Sequence, residues 1–246
     1  MSNYKLPEHV AVIMDGNGRW AKKRNLSRIE GHREGIKVIK NIIKHASLKP
    51  LSYLTLFAFS TDNWLRPASE VDELMRLLEI YLDTELEEAI EENIKFVTSG
   101  RLLDIPSKIR NKLITSMDKS SKNTGMVLNM ALSYGGREEL VDAAKAIMKD
   151  FMRKKSDIDI LDEKLFCRYL YNPSVPDIDL LIRTSGEKRI SNFMLWNLAY
   201  SELYFTDTLW PDYRDHDFDA AIVDYMARQR RFGMTDEQLH PEKNDA

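Results

Sequence analysis

Residues 15 to 19, Asp-Gly-Asn-Gly-Arg, place a carboxylate, two glycines and a guanidinium within five positions, directly after the apolar run 9–14. Gly16 and Gly18 permit backbone conformations closed to other residues and let a ligand come close to the main chain. A strand, a glycine turn and a helix start, in that order, aim free N–H groups outward, which suits an anion. The amides of Gly16, Asn17 and Gly18 fit that role, and Arg19 adds a permanent charge with a fork that matches phosphate. Asp15 cannot bind phosphate directly, so beside a phosphate it is expected to hold Mg²⁺. The segment reads as a cradle for a diphosphate and Mg²⁺. A plain Asp-Gly turn closing a loop is the alternative. The pattern is neither G-x-x-x-x-G-K-[ST] nor G-x-G-x-x-G.

A second cluster lies in RTSGEKRIS, where Arg183 and Arg189 flank a Ser-Gly turn and Ser191 follows. Two arginines with hydroxyl donors make an anion site, although a solvated basic turn has the same composition. Arg28, His32 and Arg33 follow the first cluster, and Arg66 closes Ser60–Pro67. Four arginine-bearing segments in a chain of net charge -3 imply local positive charge and a ligand with several phosphates.

These side chains must be held by a scaffold, and the hydrophobic pattern supplies one. Strands are expected at 9–14, 51–59, 94–100, 125–134 and 178–183. Helical spacing recurs at 33–47, 69–92, 106–121, 136–151 and 216–231. Strand–helix alternation predicts a single α/β domain with a mainly parallel sheet flanked by helices. Near-continuous apolar strands suit a sheet covered on both faces. In such sheets ligands bind at the carboxyl ends of the strands, where the charged segments fall. Ser69 with Asp72 reads as a capping box opening one helix of 24 positions over 69–92. DIDILDE (157–163) lacks the glycine of a calcium loop and reads as a solvated turn before a helix in DEKLFCRYL.

The 246 residues are 43% hydrophobic and 30% charged, ample for one core. Net charge argues against nucleic acid as a partner. The single cysteine, Cys167, excludes an intrachain disulfide and points to a reducing, cytoplasmic setting, with packing as its role. The N-terminus lacks the apolar stretch of a secretory signal. The polar tail 234–246 is expected to fray, leaving a core of about 7–233.

HVAVIMDGNGRWAKKR, GHREG, LTLFAFSTDNWLRP, NTGMVLNMALSYGGREEL, DLLIRTSGEKRISNFMLWNLAYSELYFTDTLWPD and RQRRFG, in that order, resemble the cis-prenyltransferase family, the bacterial undecaprenyl diphosphate synthases in particular. The resemblance implies a homodimeric, Mg²⁺-dependent enzyme. It would condense isopentenyl diphosphate onto farnesyl diphosphate with cis double bonds, making a polyprenyl lipid carrier for cell-wall synthesis. By resemblance, Asp15 is the metal acid, and Asp15 to Arg19 with Arg28 and His32 hold the allylic diphosphate. Arg183, Arg189 and Ser191 hold isopentenyl diphosphate. Trp20, Ser60 and Trp64 are assigned to substrate binding with their motifs. Asn63 and Arg66 match residues near the reacting centre, where Asn63 orients a diphosphate or helps remove a proton. A loop-capping Asn63 and a satisfied structural His32 are the alternatives. Glu202 matches a second metal-associated carboxylate that reaches toward the partner's site in the family dimer, whereas the sequence alone favours a surface acid.

The resemblance further implies an apolar product tunnel along 69–92, floored by 51–59 and 125–132. Ala58 would sit at its mouth, Leu78 and Leu82 along it, and Met126 near its end. An ordinary core face is the alternative for that stripe. The aromatic segment 191–211 is a candidate dimer face, and peripheral membrane contact would serve product release. Shorter or longer products are open, as is a non-catalytic subunit of the same fold. Asp15, Asn63, Arg66, Arg183, Arg189 and Ser191 together argue against the last. A nucleotide-binding protein would need an adenine or ribose motif.

Overall fold

The computed structural model describes residues 6–229. Strand β1 (His9–Ile13) leads to α1 (Asn17–Lys23) and α2 (Arg28–Ser47). Then come β2 (Tyr53–Ser60), α3 (Ala68–Asp83), α4 (Glu85–Glu91), β3 (Lys95–Ser99) and α5 (Ser107–Ser120). β4 (Val127–Tyr134), α6 (Gly136–Lys154), α7 (Glu163–Cys167), β5 (Leu180–Arg183), β6 (Glu202–Phe205) and α8 (Asp215–Ala227) follow. The six strands form one parallel sheet in the order β3-β4-β2-β1-β5-β6.

β1 shows why its sequence is an unbroken apolar run. Val10 and Val12 point into one core with α2, α3, α4, α5 and α8, while Ala11 and Ile13 point into a second core around Phe193 and Leu181. Strand side chains alternate faces, so a strand buried on both faces needs apolar residues at every position. Connections leave β1 toward β2 on one side and reach β5 on the other. The chain therefore reverses its winding at β1, and a crevice opens beyond the carboxyl ends of β1 and β5.

The core is crossed by a line of polar side chains. Ser99 Oγ donates to Asn129 Oδ1 at 3.0 Å, and Asn129 Nδ2 donates to Thr55 Oγ1 at 3.2 Å. Thr55 Oγ1 lies 2.7 Å from His9 Nε2, and His9 Nδ1 reaches the carbonyls of Pro176 and Asp177 at 3.0 and 3.2 Å. This chain joins β3, β4, β2 and β1 inside an apolar sheet, so each member depends on the next for its partner.

Several expectations are revised. The 69–92 helix is two, broken at Thr84, whose hydroxyl donates to the Ile80 carbonyl at 3.0 Å and competes with the ladder. Its start has no side-chain cap at Pro67, and neither Ser69 nor Asp72 caps it. The second long helix begins at Arg28, five positions before the expected start, because Ser27 and Glu30 form a capping box there. The helix in DEKLFCRYL spans only Glu163–Cys167. β6 and α1 are both missing from the pattern: each is short, and β6 is a half-buried edge strand. α8 ends at Ala227, so the last two positions of the 216–231 pattern, like the tail 234–246 and most of RQRRFG, lie outside the described residues.

Burial pushes the His9 imidazole down to about 4, against 6.5 for an ordinary histidine. Between those values the unfolded chain binds the proton and the folded one does not. The contribution of His9 is therefore complete above pH 6.5 and is lost as pH falls toward 4. Urea midpoints at neutral pH and about pH 5 should show this decline. Thr55→Val, which strands both His9 Nε2 and Asn129 Nδ2, should cost roughly 1–3 kcal/mol at neutral pH.

Candidate active site

Asp15 and Arg183 meet where β1 and β5 end. Ile13 is in register with Arg183, so the two chains emerge side by side. Arg183 Nη2 donates to Asp15 Oδ2 at 2.9 Å, and Gly16 N donates to Asp15 Oδ1 at 2.7 Å. Asp15 N donates to Thr184 Oγ1 at 2.9 Å, and that hydroxyl donates to the Asp15 carbonyl at 2.7 Å. The Arg183 side chain is 4% exposed, the Asp15 side chain 35%. The guanidinium is thus a buried, fixed charge, and the carboxylate faces the cleft. Arg183 Nη1 donates to Ser191 Oγ at 2.6 Å and to the Arg189 carbonyl. Among the described residues its Nε is buried without a partner.

Gly16 has φ of 113°, a left-handed value, and a Cβ there would lie 3.1 Å from Leu209 and Ser185. The first main-chain bond of the α1 turn runs from Trp20 N to the Gly16 carbonyl, so the amides of Asn17, Gly18 and Arg19 precede the ladder. Arg19 donates to the carbonyl and hydroxyl of Ser185 and pairs with Glu187 at 3.2 Å. Ser185 itself has φ of 78°. Gly31 and Gly35 let α2 lie against Asn17: a Cβ would meet Asn17 O at 2.2 Å and Asn17 Oδ1 at 2.5 Å.

Across the cleft, Glu70 on α3 collects three basic groups. Arg28 and Arg66 donate to it at 3.2 and 3.0 Å, and His32 Nε2 lies 4.0 Å away. Burial, then Arg66 and Arg28, hold His32 down to about 4 against the opposing pull of Glu70, so the ring is neutral at physiological pH. Asn63 Oδ1 accepts from Ser60 N at 3.0 Å, a capping bond at the start of the turn Thr61–Leu65.

One cleft of about 590 Å³ joins these groups. Asp15 to Arg19, Arg28, His32, Ser60, Asn63, Arg66, Arg183 and Ser191 line its polar mouth. The deeper wall is apolar, with Ile36, Ile39, Ala58, Leu78, Tyr81 and Met130 among its residues. Ala58 sits at a β-bulge: Phe57 pairs with Ala131 and Phe59 with Leu132, leaving Ala58 as the extra residue. A bulge re-aims side chains beside a site. On α2 the lining runs from Arg28 to Ile39, about 16 Å along the helix, and on α3 from Leu74 to Tyr81.

Residues 13–233 match the family described as putative undecaprenyl diphosphate synthase. The chain belongs to this family of cis-prenyltransferases. It is 50% identical over 228 residues to an isoprenyl transferase of Bacillus thuringiensis subsp. konkukian, covering 93% of this chain and 88% of that one. It is 49% identical over 229 residues to an isoprenyl transferase of Bacillus subtilis, with the same coverage. The fold matches lavandulyl diphosphate synthase from Lavandula x intermedia, solved with dimethylallyl diphosphate: TM-score 0.90, 38% identity, 93% and 98% of the two chains. A probable undecaprenyl diphosphate synthase from Campylobacter jejuni matches at TM-score 0.76 and 34% identity, over 93% and 99%.

Set against the family motifs, six of the expected residues stand off the cleft. Trp20 turns away, donating to Asp212 at 2.7 Å with Arg24 over its ring. Trp64 donates to Ser133 Oγ at 2.9 Å and packs edge-on to Phe59. The Arg189 guanidinium pairs with Glu187 at the surface, and only its carbonyl reaches Arg183. Glu202 lies at the amino end of β6, opposite Leu180, and pairs with Arg228 at 2.8 Å; within one chain it does not meet Asp15. Leu82 and Met126 are core residues behind the cleft wall. Glu70 and Glu187, which hold Arg19, Arg28 and Arg66, are acids and leave no trace in the pattern of basic residues. The i,i+4 spacing of Arg66 and Glu70 is the signal that reveals the first. Lys22 and Asp62 also line the mouth.

Gly16→Ala should perturb the mouth more than its size suggests. The left-handed φ and the 3.1 Å contacts force the turn to move, and Asp15 with it. Loss of at least about 1 kcal/mol in urea unfolding is expected, with a larger proportional loss of activity than of stability.

Proposed function

We propose that this cis-prenyltransferase condenses isopentenyl diphosphate with farnesyl diphosphate and makes a polyprenyl diphosphate, in the reading closest to its relatives the undecaprenyl carrier. The observation that carries the proposal is a continuous cleft that runs from an arginine-lined mouth to an apolar end. It suits a substrate with a diphosphate head and an isoprenoid tail. The relative solved with dimethylallyl diphosphate, an allylic diphosphate, supports the same substrate class.

In this reading the allylic diphosphate lies over the amides of Asn17, Gly18 and Arg19, with Arg19 and Arg28 on its oxygens. Isopentenyl diphosphate lies by Arg183 and Ser191, and Arg189 must leave Glu187 to join them. The allylic C–O bond breaks with its electron pair leaving on diphosphate, the isopentenyl double bond forms the new C–C bond, and the proton lost from isopentenyl diphosphate passes to the departing diphosphate. Asn63 spends its carbonyl on Ser60 N, which leaves its amide N–H₂ as a donor to a phosphate oxygen. Neutral His32 offers a hydrogen bond to the diphosphate.

The donor set fits Mg²⁺ carried by the substrate. Mg²⁺ uses one or two carboxylates together with phosphate oxygens, and Asp15 is a half-exposed carboxylate turned into the cleft. When bound, the ion would neutralise charge on the departing diphosphate. Glu202 could serve a neighbouring protomer's ion only by giving up Arg228, and a homodimer through 191–211 and the β6 edge is part of this proposal. The apolar lining of about 16 Å along α2 suits an isoprenoid tail of a few units. Longer products require the Tyr81 end of the cleft to yield.

Incubation with farnesyl diphosphate and labelled isopentenyl diphosphate, followed by mass analysis of product length, tests the proposal; no elongated product in the presence of Mg²⁺ would refute it. Asp15→Ala should lower kcat at least about a hundredfold while circular dichroism stays native, since the lost interaction is felt mainly in the transition state. Ala58→Leu should shorten the products, because a larger side chain on the bulge intrudes on the chain's path. Unchanged chain length at an unchanged rate would remove Ala58 from that path.

A further inference from the structure

Ser191, Asn192 and Met194 all have positive φ, 49°, 59° and 40°. Side-chain-bearing residues resist that region, so a loop holding three of them must be fixed by its surroundings. The fixing points are identifiable. Phe193 is fully buried and stacks on Phe57 with ring centres 4.3 Å apart. Asn192 binds the start of α6 three times. Its carbonyl accepts from Gly136 N at 2.7 Å, its Oδ1 accepts from Arg137 N at 2.8 Å, and its Nδ2 donates to Glu138 Oε2 at 2.9 Å. Gly136 makes this approach possible, because a Cβ there would lie 2.6 Å from Leu195 Cγ and 3.1 Å from Asn192 O.

The same loop supplies two of the three acceptors of the buried Arg183 guanidinium, the Ser191 hydroxyl and the Arg189 carbonyl. The third is Asp15. We infer that Asn192 is a positioning residue, which with Glu138 ties the Ser191 loop to α6 and so sets where Arg183 presents its charge to the cleft. The inference rests on the reading of the cleft mouth as a diphosphate site. It assigns Asn192 no contact with substrate: its partners are all on α6, and it does not line the cleft.

The pairing predicts a charge-dependent rescue. Asn192→Asp keeps the acceptor for Arg137 N but sets a carboxylate against Glu138, and the loop should be pushed off α6. Adding Glu138→Gln restores a donor in the opposite sense, from Gln to Asp. The probe is inorganic pyrophosphate, titrated calorimetrically into the full chain, with Michaelis constants for both diphosphates measured in parallel. Asn192→Asp should weaken pyrophosphate at one site about tenfold and raise KM for isopentenyl diphosphate more than for farnesyl diphosphate, and the double variant should recover to within about threefold of wild type. A double variant as weak as the single one, equal rises in both Michaelis constants, or an unaffected Asn192→Asp would overturn the inference. Pyrophosphate binding that follows the expected pattern without elongation by the wild type would instead sink the functional reading and leave the role of Asn192 intact. A wild type that does not bind pyrophosphate would sink both.

Discussion

A buried guanidinium is the constraint around which this site is organised. Arg183 ends β5 with almost no exposed surface, and the cost of burying its charge is offset by acceptors placed around it. Asp15 accepts one of its hydrogen bonds from the end of β1, and Ser191 and the Arg189 carbonyl accept two more from one loop after β5. The parallel register of β1 and β5 brings the first, and the left-handed loop after the Ser-Gly turn brings the other two. The sheet order then follows as a requirement: β1 must have β5 beside it for Asp15 and Arg183 to meet.

The remaining mouth arginines are held differently. Arg19 shares Glu187 with Arg189, whose guanidinium stands off the cleft, and Arg28 and Arg66 share Glu70. These pairs are partly exposed and therefore weak, so a multiply charged anion can replace the carboxylates at modest cost. The arginines that suggested local positive charge are held in ion pairs with carboxylates. His32 sits among them uncharged, since burial and two neighbouring guanidinium groups outweigh one carboxylate.

The central strands were legible because a parallel sheet buried on both faces leaves no polar gap in the pattern. The Asp15–Arg19 turn and the arginine clusters were legible because glycines set between charged residues, and arginines repeated after several strands, stand out in the sequence. Less could be read where tertiary contacts override local rules. Thr84 breaks a helix whose apolar stripe runs on past it. β6 is too short and too exposed to show a pattern. Trp20, Trp64 and Glu202 carry motif identities but spend their polar atoms on Asp212, Ser133 and Arg228, partners that no spacing reveals. Ala58 faces the cleft through a bulge created jointly with Ser133 on the neighbouring strand, a two-strand feature.

The cleft has its charge at one end and Tyr81 at the other. For an enzyme that lengthens its product at the charged head, the reacting bond stays at a fixed address while the tail is driven inward one unit per cycle. A blind-ended channel then works as a ruler read by resistance. Each added unit meets no opposition until the tail touches the wall, and from that cycle onward the cost of displacing packed side chains is charged against the same step that forms the bond. Product length in such a device is a ratio of two rates, further addition and departure, and is set by the stiffness of the far wall as much as by its distance.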